Sequence, residues 1–454
     1  MARSKTPNPV VDFGQWLAET PSEWPEAAIR AAHHALIDVI GVAVLGVKDE
    51  AVAPVLETVR HWGAGPCTAI GAGARFAAPW AAMVNGTAAH ALDFDDNFDP
   101  GKAHASAVLV PAILALAEQE RASGAQAIDA FIAGLQILGR VGEGLNPRHR
   151  QLGWHATATV GAVGAAAACA RLLRLDTRQA AHALSIATSM AGGFIAQFGT
   201  MTKPLHAGLA AKAGVLAASL ARAGLDAGAD TLDGPKGMRK LMAGLDPDQD
   251  GPRFRSGDIG EPLLILSEGL RAKRFPNCGS AHRSMDGLLE LRGKHGFSAA
   301  DVDAIRVHAP RSHLANLMYP DPQSPAQAKF SLPFALAAVL VDGNCTLSHF
   351  TDDAVARPDL HAIYPLVSAE PLDDTKGFPD TRVAVALKDG RTVETALQWA
   401  VGSKAKPFTA AQYREKFDLC VRQALPEDKA EALRDALERL PELGDISGLM
   451  RPLA

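Results

Sequence analysis

Large rings are scarce in this chain: aromatic residues make up 6% of its 454 positions, with only three tyrosines and six tryptophans. Small residues stand in their place, including 41 glycines, and a core of that kind is expected from helices packed closely through small contact residues. Cysteine is also sparse. The five present (Cys67, Cys169, Cys278, Cys345, Cys420) lie far apart, and none forms a C-x-x-C pair. This excludes a disulfide framework and a zinc ribbon as expectations and fits a reducing cytoplasm. Net charge is -5 with no run of lysine and arginine, so a nucleic-acid footprint is not expected. The opening MARSKTPNPVVDFGQW lacks an apolar h-region, so no signal peptide is expected. The most apolar stretch, 160–170, is short and runs into Arg171, which reads as a buried helix and not a membrane span. There is no G-x-x-x-x-G-K-[ST], no G-x-G-x-x-G after a strand, no H-E-x-x-H and no G-x-S-x-G. Their absence sets aside P-loop, dinucleotide, zincin and serine-hydrolase chemistry.

A hydrophobic share of 48% against 21% charged residues is a globular balance, and the length suggests two domains. Apolar spacing predicts helices over 26–45, 77–91, 105–121, 125–145, 157–173, 178–190 and 206–223. The character changes near residue 270. A helix over 284–295 is followed by an alternating strand at 302–308, a helix over 325–340, and strands 381–387 and 391–398 around the hairpin signal Asp389-Gly390. Helices return at 410–424 and 427–440, the first of which is expected to expose Lys416. The resulting division is helical over 1–269, α+β over 270–400, and helical again over 401–454.

Five segments concentrate the chemistry. NGTAAHALDFDDNFDPGKAHAS (85–106) carries His90, Asp93, Asp95 and Asp96 toward a helix C-terminus, followed by His104. Carboxylates there oppose the helix dipole, which leaves either a solvated acidic loop or a functional cluster supplied with cations from elsewhere. A calcium loop over 93–104 fails, because its sixth position is Phe98 and its twelfth is His104; no metal is expected. In GWHATATVGAVGAA, His155 precedes a helix rich in glycine and alanine. The first N–H groups of such a helix attract anions. FGTMTKPLHAGLAAKAG sets Lys203 before Pro204, with His206 beyond, and KRFPNCGSAH brings Lys273, Arg274 and His282 to the boundary near 270. Cys278 in that segment reads as a pocket wall. In LMYPDPQSPAQAKFS, Tyr319 is a candidate proton donor.

In this order, NGTAAHALDFDD, GWHATATVGAVGAAAA, TKPLHAGLAAKAGVLAA, KRFPNCGSAH and AKFSLPFALAAVLVDG resemble the MmgE/PrpD family. Its members include 2-methylcitrate dehydratase, cis-aconitate decarboxylase and iminodisuccinate epimerase. The resemblance implies a mainly α fold, with a large all-helical domain built from both chain ends and a smaller α+β lid domain. It also implies a homodimer and a lyase without cofactor that acts on a small di- or tricarboxylic acid by proton abstraction next to a carboxylate. By match to the motifs, the site comprises His155 as base, His104 as partner or general acid, Asp93 orienting a histidine, Tyr319 donating a proton, and Lys203, Lys273 and His282 binding substrate. Two features depart from the common pattern. His104-Ala105-Ser106 stands where many members have His-Pro, and Cys278-Gly279 stands where pairings differ; FGTMTKPLH and MYPDPQSPAQAKFS are more similar to the epimerase branch than to methylcitrate dehydratase. A dicarboxylate epimerase and a non-catalytic polycarboxylate binder therefore stand as alternatives.

Overall fold

The computed structural model describes residues 8–375 and 377–454. Its architecture is mainly helical, as the apolar periodicity predicts. The buried apolar residues fall into two principal cores. One runs from Val10 to Ile265 and resumes from Phe417 to Leu453; the other spans Phe275 to Val393. The chain thus leaves the first core, builds the second, and returns.

Small residues give the first core its geometry. In the helix Ala156–Leu172 all residues are buried, so it has no solvent face to make it amphipathic. At Gly164 an added Cβ would sit 2.6 Å from the Cβ of Leu138, so only glycine lets the helix Gly124–Leu145 lie this close. Gly208 does the same on Thr202–Arg222: a Cβ there would meet the carbonyl oxygen of Met83 at 2.2 Å. That crossing draws the start of Thr202–Arg222, with Lys203, onto Ala78–Ala91, whose end leads to Asp93. Glu26–Gly46 and Thr202–Arg222 are long and apolar enough to cross a membrane. However, 61% and 67% of their apolar windows are buried inside the protein.

The second core is a four-stranded sheet covered by the helices His282–His295 and Leu332–Val341. After a hairpin in the first core, β1 (Ala64–Ala69) with β2 (Ala74–Phe76), the sheet uses β3 (Val302–Pro310), β4 (Val367–Leu372), β5 (Thr381–Leu387) and β6 (Thr392–Leu397) in the order β4-β3-β5-β6. β5 and β6 form the expected hairpin, while β4 joins β3 in parallel.

Four expectations are corrected. The first part of the chain is not all helix: β1 and β2 pair with a bulge, and Glu118 accepts from the Thr68 backbone and hydroxyl. The sequence AGPCTA has no alternation to reveal a strand. β4 was also hidden, because this edge strand is largely exposed and shows no inward-facing period. The 325–340 helix is two, Pro325–Ala328 and Leu332–Val341, since Ser331 caps the second by accepting from Phe334 N and Pro333 sits in its first turn.

The fourth concerns Lys416, which is not on the surface. Only 6% exposed, its ammonium lies 2.8 Å from Asp38 Oδ1, donates to Phe94 O at 2.7 Å, and sits 4.1 Å from the Phe94 ring centroid. The C-terminal helix Ala410–Val421 thereby holds the loop that leaves Ala78–Ala91. Removing one partner of a buried pair costs about 3–5 kcal/mol. Lys416→Met is expected to lower unfolding stability in urea by that order, whereas exposed Lys236→Met leaves it within about 0.5 kcal/mol. Equal midpoints for the two variants would contradict the pairing.

Candidate active site

After Ala91 the chain turns sharply. Asp93 adopts φ 51°, a left-handed conformation that aspartate tolerates better than most residues. The turn directs its carboxylate inward, where two ammonium groups meet it. Lys203 donates to Asp93 Oδ1, while Lys273 lies 3.1 Å from Oδ2 and donates to the Asp93 carbonyl at 2.7 Å. Burial opposes ionisation of Asp93, but Lys203 and Lys273 outweigh it and hold the carboxyl well below its ordinary range. All three residues are at most 3% exposed.

Asp95 performs the parallel task for histidines. Its Oδ2 lies 2.9 Å from His90 Nδ1 and 3.0 Å from His104 Nδ1. Burial again opposes its charge, and His90 and His104 overcome that. The next residue, Asp96, accepts from the Ser106 backbone and hydroxyl; burial and the neighbouring Asp38 and Asp95 push it up to about 7. Thus three consecutive acidic positions in the loop receive different partners.

The histidines form a contiguous group. The rings of His90 and His104 are 4.4 Å apart edge to face, and His90 and His155 stack at 6.1 Å. His104 caps Ala105–Glu120 from outside, with its backbone N–H on Thr157 Oγ1 at 3.1 Å; Asn97 Nδ2 lies 3.2 Å from its Nε2. His155 immediately precedes Ala156–Leu172 and contacts His206, Nδ1 to Nδ1, at 2.9 Å. Burial holds these rings neutral. It lowers His104 to about 3 despite Asp95, and holds His155 well below its ordinary range with help from His206 and His90. Neutral imidazole is the state that accepts a proton.

The remaining expected residues stand around this group. Tyr319 Oη donates to Phe198 O at 2.8 Å, and Phe198 packs edge-on to His155 at 5.0 Å. His282 is separated from the other histidines: its Nε2 lies 2.9 Å from Asn277 Oδ1, and its ring meets Phe275. Cys278 packs with Phe198 and Phe330 as a wall. A cavity of about 450 Å³ adjoins the cluster, lined among others by His90, Asp93, Gly199, Lys203, Lys329 and Phe330.

Two assignments change. The carboxylate that orients histidines is Asp95, not Asp93, and the two lysines expected on substrate carboxylates both engage Asp93. His90, Asp95, Asn97 and His206 complete the arrangement although motif matching did not select them. For His90 and Asp95, the signal was their membership of the same motif; His206 likewise lies in TKPLHAGLAAKAGVLAA, three residues after Lys203.

The sequence profile of the MmgE/PrpD N-terminal domain matches residues 11–250 and that of the MmgE/PrpD C-terminal domain residues 275–442, so the chain belongs to the MmgE/PrpD family. Curated relatives include cis-aconitate decarboxylase of Mus musculus, 30% identical across 94% of this chain and 89% of its own length. The Homo sapiens cis-aconitate decarboxylase is 28% identical across 93% and 90%. That of Aspergillus terreus is 27% identical across 94% and 92%.

The buried histidines fix how stability responds to acid. His90, His104 and His155 have folded values below the unfolded one of about 6.5, as do His149 and His206, lowered by burial to about 4. Between those values the unfolded chain binds a proton and the folded chain does not, so stability is complete above pH 6.5 and declines below it. The loss is about 1.4 kcal/mol per pH unit for each such histidine. Asp93 and Asp95, depressed in the folded state, add their own loss only below about pH 4. Urea midpoints are expected to fall steeply from pH 7 to 5; a flat profile would contradict the neutral, buried histidines.

Proposed function

We propose that this chain is a lyase without cofactor that decarboxylates a small unsaturated tricarboxylic acid of the cis-aconitate kind. The observation that carries the reading is the group of buried neutral histidines, His90, His104 and His155, set beside two ammonium groups and a cavity. Relatives named cis-aconitate decarboxylase, similar over more than nine-tenths of the chain, support the reaction class.

Decarboxylation breaks the bond to one carboxylate and leaves its electron pair on carbon. Fixed cations stabilise the resulting enolate-like charge, and a proton must reach the carbon skeleton. Dehydration and epimerisation need the same group for proton removal. His155 is the residue assigned to this exchange, with His104 as its partner and Tyr319 as a hydrogen-bond donor. Lys203 and Lys273 supply positive potential while anchored on Asp93. The second core serves as a lid over the first, and two chains form a homodimer that works in the cytoplasm. A second reading, a dicarboxylate epimerase, is favoured by the segments 198–206 and 318–331.

The reading is metal-independent. Ligand atoms of His90, Asp93, Asp95 and His104 lie within 4.8 Å of one another, a spacing a cation accepts. Yet two ammonium groups already occupy Asp93 and two imidazoles face Asp95, and a divalent ion would be pressed against Lys203 and Lys273. Proton NMR in deuterated water decides among the reactions. With cis-aconitate, carbon dioxide release and one deuterium in the alkene product are expected, unchanged by a chelator. With a chiral dicarboxylate, exchange of the hydrogen next to the carboxylate without a new product class indicates epimerisation, and binding of these acids without exchange or product overturns the enzyme reading. His155→Ala is expected to lower turnover by about 10²–10⁴-fold; near wild-type turnover would transfer the role to His104.

A further inference from the structure

His206 has no part in the reaction as set out above, yet it makes the shortest side-chain contact of His155. The two Nδ1 atoms are 2.9 Å apart, and the residues are 4% and 2% exposed. Two neutral imidazoles at this distance can share only one hydrogen: one Nδ1 must carry it and the other must accept it. The tautomer of each ring therefore determines that of the other. His206 is itself confined. It lies in the first turns of Thr202–Arg222, and a Cβ on Gly193 would sit 3.2 Å from its Nε2, so backbone closes that edge. His155 is fixed by its backbone N–H on Gly193 O at 3.0 Å. Both rings thus rest on the same short segment, and His155 has Nε2 left to meet a substrate.

We infer that His206 is a positioning residue for proton transfer: by accepting the Nδ1 hydrogen of His155 it holds that ring in the tautomer whose Nε2 lone pair faces the substrate. This rests on the assignment of His155 as the proton-transfer group. When His155 Nε2 takes a proton, the Nδ1–H bond to His206 remains in place and becomes charge-assisted. Among the described residues, no carboxylate contacts the pair. The groups facing it are His90 from Ala78–Ala91, His104 from the loop before Ala105–Glu120, and Lys203 from the start of its own helix. All are cationic when charged. Beyond the one ring hydrogen each neutral imidazole carries, a second added proton on the pair is therefore strongly disfavoured, and the pair takes up and returns one.

The test uses the full-length protein with ¹⁵N-labelled histidine, the His155 signals being identified by their loss in His155→Gln. Ring-nitrogen shifts report the tautomer directly and need no substrate. In the wild type, His155 is expected as a single Nδ1–H tautomer. His206→Asn places an amide oxygen where Nδ1 lay and should keep that tautomer and most of the turnover. His206→Leu removes the acceptor; His155 should become a mixture, with kcat reduced about 10–100-fold, KM little changed, and the acid limb of the pH profile displaced. An Nε2–H tautomer in the wild type, or a single Nδ1–H tautomer with unchanged kcat in His206→Leu, overturns the inference. Equal loss in folded His206→Asn and His206→Leu also overturns it, since that marks a packing role. If instead His155→Gln keeps full turnover, the choice of base has failed, and the tautomer spectra still judge the pairing on its own.

Discussion

Asp93 lies between two ammonium groups. This carboxylate is buried, and alone it would take up a proton; without it Lys203 and Lys273, equally buried, would each lose the counter-charge that offsets their burial. Together they form a charged unit in a dry site, which is stable only because each member is satisfied. The unit also sets the local architecture. Lys203 comes from the helix Thr202–Arg222, Lys273 from the segment joining the two cores, and Asp93 from a left-handed turn after Ala78–Ala91. Three parts of the chain that are far apart in sequence are thereby held at one point.

The histidine group is built on the same loop by a different device. Asp95 gathers His90 and His104, and the helix starts at Ala105 and Ala156 present His104 and His155 to the same space. Such packing needs helix backbones that approach closely, which the small residues at Gly164 and Gly208 permit. The scarcity of aromatic residues and the crowding of the polar site thus have one origin. Large side chains at these crossings would separate the helices that carry the chemistry.

Much of this was legible in the sequence. Helical periodicity gave the principal helices, and Asp389-Gly390 gave the β5–β6 hairpin. The motifs placed Asp93, His104, His155, Lys203 and Lys273 in one region. Pairing within that region was not legible. Asp93 and Asp95 are chemically alike and two residues apart, and only the turn at Asp93 decides which one meets lysine and which meets histidine. The case of Lys416 is instructive: it shares a helix face with Phe417, Cys420 and Val421, all buried. The spacing placed it inside, while its charge argued for the surface, and the partner that resolves the conflict, Asp38, lies 378 residues earlier. His206 was obscured for the same reason, since its partner His155 is 51 residues away.

Asp93 and the lysines act as one unit, and a double-mutant cycle measures that coupling. Unfolding free energies would be measured for the wild type, Asp93→Asn, Lys273→Met and the combined variant at pH 7.5. Each single change leaves a buried charge without its full complement and is expected to cost about 3–5 kcal/mol. The combined variant leaves Lys203 on a neutral amide, so its cost should fall short of the sum by at least about 2 kcal/mol. Additivity within about 0.5 kcal/mol would mean that the groups do not interact, and would contradict the account.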